Sequence, residues 1–442
     1  MVLAIDVGTS RIKASLVDAG GNLIGSTSIS ETSLEAGALL SAVASAIDDA
    51  IEGATGPITD VAFSTFWHGL LFLDAAKTPT GPISTWEDTT ATPSAHALHA
   101  AVDPFDYHRR TGCFLHPSYP AVRIHAAVGR NATFTRILGP GEWLIMALFG
   151  EPFTSPSMAS GTGLAKLNGV AYDDDTLEMV GVDATVLPPI RTEPLSDLKP
   201  EWAARWPVLA TARWFLPVGD GAAETIGSDC IAGGRAAFKL GTSGAIRVVV
   251  DDSPVPPERL FTYAIDGKRA LVGGATSNAG NLLAWARRTL GIDDGDIEAA
   301  LGRPRGAHGL SVDPYLAGER APKWAIESNG RIQGIRLSTT ALDITQALIE
   351  AATDNLTALV EEVEAWHGRP FDLVASGGVI ESHPMWTRLL VERLGRPLYA
   401  APSPHSGARG AALLALHDLG ISIPPAPLKE IDIQSLPRMR TC

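Results

Sequence analysis

Hydrophobic residues alternate with polar ones at the start of the chain and again near its middle. In AIDVGTSRIKASLVD, residues 4–18, the alternation on both sides of Gly8-Thr9-Ser10 predicts a β-hairpin. The stretch FKLGTSGAIRVVV, residues 238–250, repeats the order of apolar strand, Gly-Thr-Ser turn and apolar strand. Because each half of the chain carries one such turn, the pattern indicates a duplicated domain.

Strand patterns alternate with helix patterns in the rest of the chain. Strands are predicted over residues 60–66, 70–74 and 371–376, and helices over residues 38–53, 342–366 and 406–420. Small residues in the last of these helices permit close backbone packing, and the proline-rich stretch 186–200 is typical of a loop. Alternating elements in both halves predict an α/β fold in which helices cover each sheet.

The two hairpin turns suggest a particular chemistry. No helix is predicted directly after either glycine, which excludes a P-loop and a dinucleotide fingerprint. Taken singly, each turn is also compatible with an ordinary tight turn. As a pair facing each other across a cleft, they would offer backbone N–H groups to a polyphosphate, together with the hydroxyls of Thr9, Ser10, Thr242 and Ser243.

Asp6 precedes the first of these turns. Its carboxylate would point at the phosphates, where like charges repel unless a Mg²⁺ ion, held through water, lies between them. Lys239 stands at the equivalent place in the second hairpin, so only the first half would hold the metal.

Composition narrows the range of partners. The 442 residues include 35 basic and 49 acidic ones, for a net charge of −14 without a basic block, which argues against nucleic acid. The first residues lack a signal-peptide pattern, and no apolar run approaches the roughly 18 residues of a membrane span. We therefore expect a cytoplasmic protein without a membrane partner. The three scattered cysteines, Cys113, Cys230 and Cys442, are expected to be reduced.

Nine motifs in a fixed order extend the picture to most of the chain. They are DVGTS, WHGLLFLD, TGCFLHPSYP, SMASGTGL, DGAAETIGS, KLGTSGAIR, PYLAGERAP, GRIQGIRLS and ASGGVIESHPMW. With them the sequence resembles the FGGY carbohydrate kinases, and within these the gluconokinase and xylulokinase branch. The resemblance implies two actin-like (RNase-H-like) ATPase domains with an interdomain cleft. Residues 1–230 would bind the sugar and hold the catalytic base, residues 231–422 would bind the nucleotide, and residues 423–442 would form a loosely attached tail.

The resemblance also implies roles for single residues of an ATP- and Mg²⁺-dependent kinase acting on a small sugar or sugar acid. Asp220 would be the catalytic base and Asp6 the metal ligand. Candidate sugar-binding residues are Trp67, His68, Gly69, Trp86, Asp88 and His116. Candidate ATP-binding residues are Gly8, Thr9, Ser10, Lys239, Gly241, Thr242, Ser243, Gly377 and Gly378, the last two in an adenosine-binding turn. Members of this family often form dimers, so a homodimer is expected.

The expected acceptor is gluconate, because RRTGCFLHPSYP resembles the gluconokinases and supplies cations for a carboxylate. Those cations are Arg109, Arg110, His116 and Arg123, although an Arg-Arg pair is also typical of a solvated helix end. Three positions differ from what is common in relatives: Thr90 replaces an arginine, Arg123 a lysine and His405 a glutamate. These differences put the identity of the substrate in question. D-xylulose, another ketose or a polyol, an actin- or chaperone-like ATPase activity, and a sugar-binding regulator without chemistry stay open as alternatives.

Overall fold

The hydrophobic repeats of the sequence form mixed sheets flanked by helices in the computed structural model, which describes residues 1–30, 33–231 and 234–433. The strands are β1 (Val2–Val7), β2 (Ile12–Val17), β3 (Leu23–Ile29), β4 (Asp60–Thr65), β5 (Leu71–Leu73), β6 (Arg136–Leu138), β7 (Arg213–Trp214), β8 (Val218–Gly219), β9 (Arg235–Leu240), β10 (Gly244–Asp251), β11 (Phe261–Ala264), β12 (Arg269–Thr276), β13 (Ser311–Asp313), β14 (Arg331–Gln333), β15 (Asp372–Ser376) and β16 (Tyr399–Ala400).

The α-helices alternate with these strands. They are α1 (Ala36–Glu52), α2 (Thr92–Ala101), α3 (Pro104–Thr111), α4 (Pro120–Gly129), α5 (Pro140–Phe149), α6 (Pro156–Ser160), α7 (Asp174–Val180), α8 (Pro200–Arg205), α9 (Asp220–Gly227), α10 (Gly280–Leu290), α11 (Asp294–Leu301), α12 (Ala341–His367), α13 (Gly378–Ser382), α14 (Pro384–Leu394) and α15 (Ser406–Asp418). The helices predicted over residues 38–53, 342–366 and 406–420 are confirmed as α1, α12 and α15. The stretch 186–200 is confirmed as mainly loop.

The described chain divides into two compact units. Unit 1 comprises residues 1–30, 33–231, 249–271 and 405–425, and unit 2 comprises residues 234–248, 272–404 and 426–433. The α/β class predicted from the sequence is confirmed. The functional ranges 1–230, 231–422 and 423–442, and the cleft expected between the domains, stay predictions.

The sheet of unit 1 contains the first predicted hairpin. Its strands follow the order β3-β2-β1-β4-β7, and β8 also pairs with β4. β1 runs antiparallel to β2, with Val7 opposite Ile12, and parallel to β4, so the hairpin is confirmed. Apolar residues of β1 and of α1 belong to one buried core cluster, in which Leu39, Val43 and Ile47 form the helix stripe.

The second sheet contains the second hairpin. Five of its strands follow the order β12-β10-β9-β15-β16, with β9 antiparallel to β10 and parallel to β15. The long helix α12 buries Leu348, Ala352 and Leu356, which lie at helical spacing on one face. Trp386 of α14 is fully buried and donates its indole N–H to Thr353 Oγ1 at 2.9 Å, which satisfies its polar atom inside the apolar core of unit 2.

The C-terminal tail is less loose than expected. Ala400 N donates to Lys429 O at 2.8 Å and Ile431 N donates to Leu398 O at 2.9 Å, so this segment pairs with the edge strand β16. The Arg388 guanidinium adds a hydrogen bond to Ile433 O. The expectation of a loosely attached tail was therefore wrong for residues 429–433, because edge-strand amides and carbonyls bind them. Residues 434–442 lie outside the described part of the chain.

Two further expectations concern cysteines and membranes. Cys113 and Cys230 are buried thiols, as packing residues are, and Cys442 lies outside the described residues. Over residues 1–30, 33–231 and 234–433, every helix is too short or too polar to span a bilayer.

Candidate active site

Asp6 lies near the end of β1, one residue before the turn that joins β1 to β2. The turn is closed by the Gly8 amide, which donates to Arg11 O at 3.0 Å, and the side chains of Thr9 and Ser10 are exposed. The half-buried carboxylate of Asp6 accepts a hydrogen bond from Ser64 Oγ of β4 at 2.9 Å. Sequence reasoning missed Ser64, whose only signal is its place in the strand predicted over residues 60–66, which is β4.

The start of α15 lies against the same carboxylate. A Cβ atom added at Gly407, in the first turn of this helix, would stand 2.5 Å from Asp6 Oδ2, so only glycine fits at this position. The N-terminal end of a helix carries a partial positive charge, which stabilises a nearby carboxylate.

Basic groups surround the first turn. Lys13 is the strand partner of Asp6, and burial, followed by the positive charges of Lys13 and Arg11, lowers the pKa of His405 at the start of α15. Burial is the first cause of that shift, and repulsion from the two basic side chains adds to it, so positive charges lie close to the turn. Such a surround favours a bound anion, as expected for phosphate.

The fit of this region to Mg²⁺ rests on one carboxylate. Among the residues that the structure describes, no group of three or more His, Cys, Asp or Glu side chains forms a metal cage. Mg²⁺ commonly takes one or two carboxylates and completes its shell with water and substrate phosphates. Asp6 fits that donor set.

Asp220 is the first residue of α9. Its Oδ1 accepts from its neighbour Gly221 N at 2.9 Å and from Trp67 N at 3.3 Å, so two backbone amides orient the carboxylate. The side chain is half-buried rather than sealed, so a ligand can reach it. The structure thus brings Asp220 together with the predicted sugar-binding residue Trp67.

Helix α9 is fixed by backbone contact with α15. A Cβ added at Gly410 of α15 would stand 2.5 Å from the carbonyl carbon of Ala223, and one at Gly227 of α9 would stand 2.7 Å from the carbonyl carbon of Ser406. Arg409 Nη1 strengthens the contact by donating to Gly227 O at 2.8 Å and to Asp229 Oδ1 at 2.6 Å. One helix therefore supports both carboxylates, and the small residues of 406–420 do permit close packing as predicted.

Trp67 and Gly69 are more deeply packed than a ligand-lining role alone requires. Trp67 is 5% exposed and donates its indole N–H to Ser157 O at 2.9 Å. A Cβ at Gly69 would stand 2.5 Å from Pro140 Cδ, at the start of α5. The glycine is thus required by a close approach inside the protein.

His68 lies between these two residues in an unusual conformation. Its φ of 63° is rare for a residue other than glycine, and its Nδ1 lies 2.7 Å from Gly161 O. Because a carbonyl only accepts, Nδ1 carries the proton of that hydrogen bond. The ring also packs edge-on against Tyr119 and Tyr263, whose hydroxyls are 2.7 Å apart.

Sequence reasoning missed both tyrosines. Tyr119 lies inside a quoted motif without having been singled out, and Tyr263 lies on β11, in the segment 249–271 that the contacts assign to unit 1. No sequence pattern around Tyr263 indicates that the segment 249–271 packs in unit 1.

The segment around Trp86 forms a polar turn. Asp88 Oδ1 accepts from Thr90 N at 2.9 Å and from Thr90 Oγ1 at 2.6 Å, while Trp86 is half-buried. Thr90 therefore holds the carboxylate locally, in place of a cation. His116 is buried, and its Nδ1 lies 2.8 Å from Ser118 Oγ.

Three of the four cations expected to bind a substrate carboxylate are engaged by the protein. Arg109 pairs with Asp106 at 3.1 Å, and Arg110 pairs with Asp173 at 2.8 Å, as side chains at a solvated helix end do. Arg123 is buried and hydrogen-bonded to oxygens of the protein. The expectation that these arginines meet the substrate was wrong, because an acceptor on the same helix engages Arg109 and acceptors distant in sequence engage Arg110 and Arg123.

The second Gly-Thr-Ser turn, in unit 2, docks on the start of α10. Gly241 N donates to Ser243 O at 3.0 Å, Gly280 N donates to Gly241 O at 2.8 Å, and Asn281 N donates to Thr242 O at 3.1 Å. Lys239, half-buried on β9, is paired with Ala245 and Ser376 on its two sides. The contribution of Gly280 and Asn281 was missed, since their segment SNAGN is a weak helix-start signal.

Gly377 joins this cluster. Its φ is 107°, and a Cβ there would stand 2.7 Å from the carbonyl carbon of Leu240, while one at Gly280 would stand 2.5 Å from Gly241 O. Gly378, the first residue of α13, is exposed. The predicted adenosine turn and the predicted phosphate turn are thus in direct backbone contact, which the absence of a side chain at Gly377 permits.

Comparison with known proteins identifies two family domains along the chain, and residues 249–271 and 405–419 of the second one belong to unit 1 by their contacts. Residues 1–213 match the N-terminal domain, and residues 236–419 the C-terminal domain, of the FGGY family of carbohydrate kinases. Gluconokinase of Bacillus subtilis (strain 168) is 28% identical over 452 aligned residues, which cover 95% of this chain and 88% of the relative.

Two solved structures are similar along most of the chain. A gluconate kinase from Lactobacillus acidophilus has a TM-score of 0.85 and 26% identity, covering 95% of this chain and 89% of that one. A ligand-bound xylulose kinase from the same organism also has a TM-score of 0.85 and 26% identity, with 95% and 90% covered.

Proposed function

Because this chain belongs to the FGGY family of carbohydrate kinases, and is therefore a sugar phosphotransferase that uses ATP, we propose that its acceptor is a sugar acid and specifically gluconate. The observation that supports gluconate as the acceptor is the 28% identity to a gluconokinase over 95% of the chain. Family membership sets aside the alternative of an actin- or chaperone-like ATPase.

A ketose, xylulose, is the second candidate. It is favoured by the xylulose kinase structure, which matches this chain as well as the gluconate kinase structure does. The argument from cations is also weakened, because protein acceptors engage Arg109, Arg110 and Arg123.

The proposed base is Asp220. Its carboxylate, oriented by the amides of Gly221 and Trp67, would accept the proton of the attacking sugar hydroxyl. General-base assistance of this kind contributes about 10²- to 10⁴-fold to the rate. His68, Asp88 and His116, with the rings of Trp67 and Trp86, would hold the sugar so that its hydroxyl meets the phosphorus.

The proposed nucleotide site uses the two glycine turns. Thr9, Ser10, Thr242 and Ser243 would donate to the phosphates from amides and hydroxyls, with Gly8 and Gly241 shaping the turns, and Lys239 would add a positive charge. Gly377 and Gly378 would leave room for the adenosine. Asp6 would hold Mg²⁺, which when bound neutralises charge on the transferred phosphoryl group. A cytoplasmic location and a homodimer complete the proposal as predictions.

The proposal is tested by measuring ADP release with Mg²⁺ and ATP across gluconate, xylulose, other ketoses and polyols. We expect the highest kcat/KM with gluconate, whereas a higher value for xylulose would reassign the substrate and leave the kinase intact. Asp220→Asn should lower kcat by at least about 10²-fold with ATP binding nearly unchanged, because only the proton acceptor is lost. Full turnover by this variant would remove Asp220 from its role.

A further inference from the structure

Arg123 is a buried cation that the proposed chemistry does not use. It lies in the first turn of α4 and is 3% exposed. Burial lowers the pKa of Arg123 to about 10, and the Asp88 carboxylate opposes that shift, so the guanidinium is charged at neutral pH. Burying a charge costs free energy unless hydrogen bonds compensate for the lost contact with water.

The terminal nitrogens of the guanidinium reach four oxygens. Nη1 donates to Ser84 Oγ at 2.7 Å and to Thr85 O at 3.0 Å. Nη2 donates to the carbonyl of His68 and, at 3.3 Å, to Ser118 O. The four terminal N–H groups are thereby matched by four acceptors of the protein, while the buried Nε has no hydrogen-bond partner among the described residues.

These acceptors belong to three separate segments. One contains His68, the second leads from Ser84 into Trp86 and Asp88, and the third is His116-Pro117-Ser118. Each segment carries a residue of the proposed sugar site, and Arg123 is bonded to all three at once. The segment of His68 also needs support, because a left-handed conformation costs a residue with a Cβ of the order of 1 kcal/mol.

We infer that Arg123 is the positioning residue of the sugar site, a guanidinium hub that holds these three segments in register without touching the sugar. A planar guanidinium presents N–H groups in a fixed fork, so it can serve oxygens in different directions. A lysine ammonium, a compact point charge, cannot reach both ends of that fork. This inference rests on the proposed function in so far as the three segments bind the acceptor.

The first test is kinetic and uses the full chain. Arg123→Ala and Arg123→Lys are expected to raise the KM for the preferred sugar roughly 10- to 100-fold, as loss of charged hydrogen bonds does, with the KM for ATP within about twofold of wild type. Guanidinium ion at millimolar concentration should partly restore the sugar KM of Arg123→Ala, whereas sodium should not. The matched control is Arg109→Ala, which removes an exposed arginine on α3 and should change neither constant.

The second test needs no substrate. Hydrogen exchange followed by mass spectrometry should show faster exchange in Arg123→Ala over all three segments, 66–69, 84–88 and 116–118, with α12 unchanged. Absence of sugar-dependent ADP release in the wild type would overturn the proposed function and leave this readout intact. The inference that Arg123 positions these segments would be overturned by an unchanged sugar KM or by an equal rise in both KM values. Unaltered exchange in the three segments would also overturn it.

Discussion

The contact between α9 and α15 leads to a prediction about a residue far from the chemistry. In Gly410→Ala, the new Cβ would stand 2.5 Å from the carbonyl carbon of Ala223 and 2.8 Å from the amide nitrogen of Gly227. The carbonyl oxygen of Ala223 would be closer still, and an ordinary carbon–carbon contact is about 3.5 Å, so the two helices must separate by more than roughly 1 Å. The clash is between backbones, which have no rotamer to relieve it.

The cost follows from two opposing terms. Overpacking destabilises by about 1–3 kcal/mol, while alanine in a helix is favoured over glycine by about 0.5–1 kcal/mol. The net loss is therefore of the order of 1–2 kcal/mol, or a few degrees of Tm. A displacement of about 1 Å at a reacting group can lower the rate 10²-fold. Since α9 begins at Asp220, we expect kcat to fall by one to two orders of magnitude.

The assay compares Gly410→Ala with Gly37→Ala. Gly37 lies in α1, is exposed, and has no atom within 4 Å of an added Cβ, so its substitution should leave kcat unchanged and slightly raise Tm. Thermal unfolding and ADP release are measured on both variants. A wild-type kcat in Gly410→Ala would refute the idea that α15 sets the position of Asp220, whatever happens to Tm.

Three further predictions concern other parts of the molecule. Gly377→Ala should weaken ATP binding at least about tenfold, because a Cβ at φ 107° collides with the Leu240 carbonyl group. Titration calorimetry measures this affinity, and an unchanged value would contradict the role of this turn in adenosine binding. Asp6→Asn should raise the Mg²⁺ concentration needed for half-maximal ADP release, and an unaltered Mg²⁺ titration would exclude Asp6 as the ligand. Burial raises the pKa of Glu142. This effect is larger than the lowering by the hydrogen bonds that Glu142 accepts from Thr154 and Gly139. The unfolded chain therefore loses this proton at a lower pH than the folded protein does. The free energy of unfolding of the wild type should fall relative to that of Glu142→Gln as the pH rises above about 4.5. Denaturant unfolding at a series of pH values measures this difference, and a constant difference would contradict the prediction.

The elements that could be predicted from the sequence are those determined by local pattern. The hairpin turns at Gly8 and Gly241 follow from alternation over a few residues, and α12 follows from a repeat sustained over seven turns. The candidate base and the glycine turns were found because their motifs are short and contiguous. The two hairpins form as predicted, and the roles of Asp220 and of the glycine turns stay predictions.

What could not be predicted depends on partners distant along the chain. Arg110 is paired with Asp173, 63 positions later, and Arg409 is bonded to Gly227, 182 positions earlier. A list of cations drawn from sequence contains no information on such acceptors, so Arg110 and Arg123 were both expected at a substrate carboxylate. The pairing of residues 429–433 with β16 was missed for the same reason, because an edge strand becomes visible only when the whole sheet is assembled.

The duplication inferred from two Gly-Thr-Ser turns extends to the strand register, and there the two halves differ in charge. Asp6 on β1 is opposite Ser64 of the parallel neighbour β4, and Lys239 on β9 is opposite Ser376 of the parallel neighbour β15. The same position, one residue before the end of its strand, thus carries a carboxylate in one unit and an ammonium in the other, each beside a serine. A carboxylate binds a cation and an ammonium binds an anion, so under the proposed roles the same backbone position would hold Mg²⁺ in one unit and phosphate in the other. Two copies of either residue would provide for only one of these ligands.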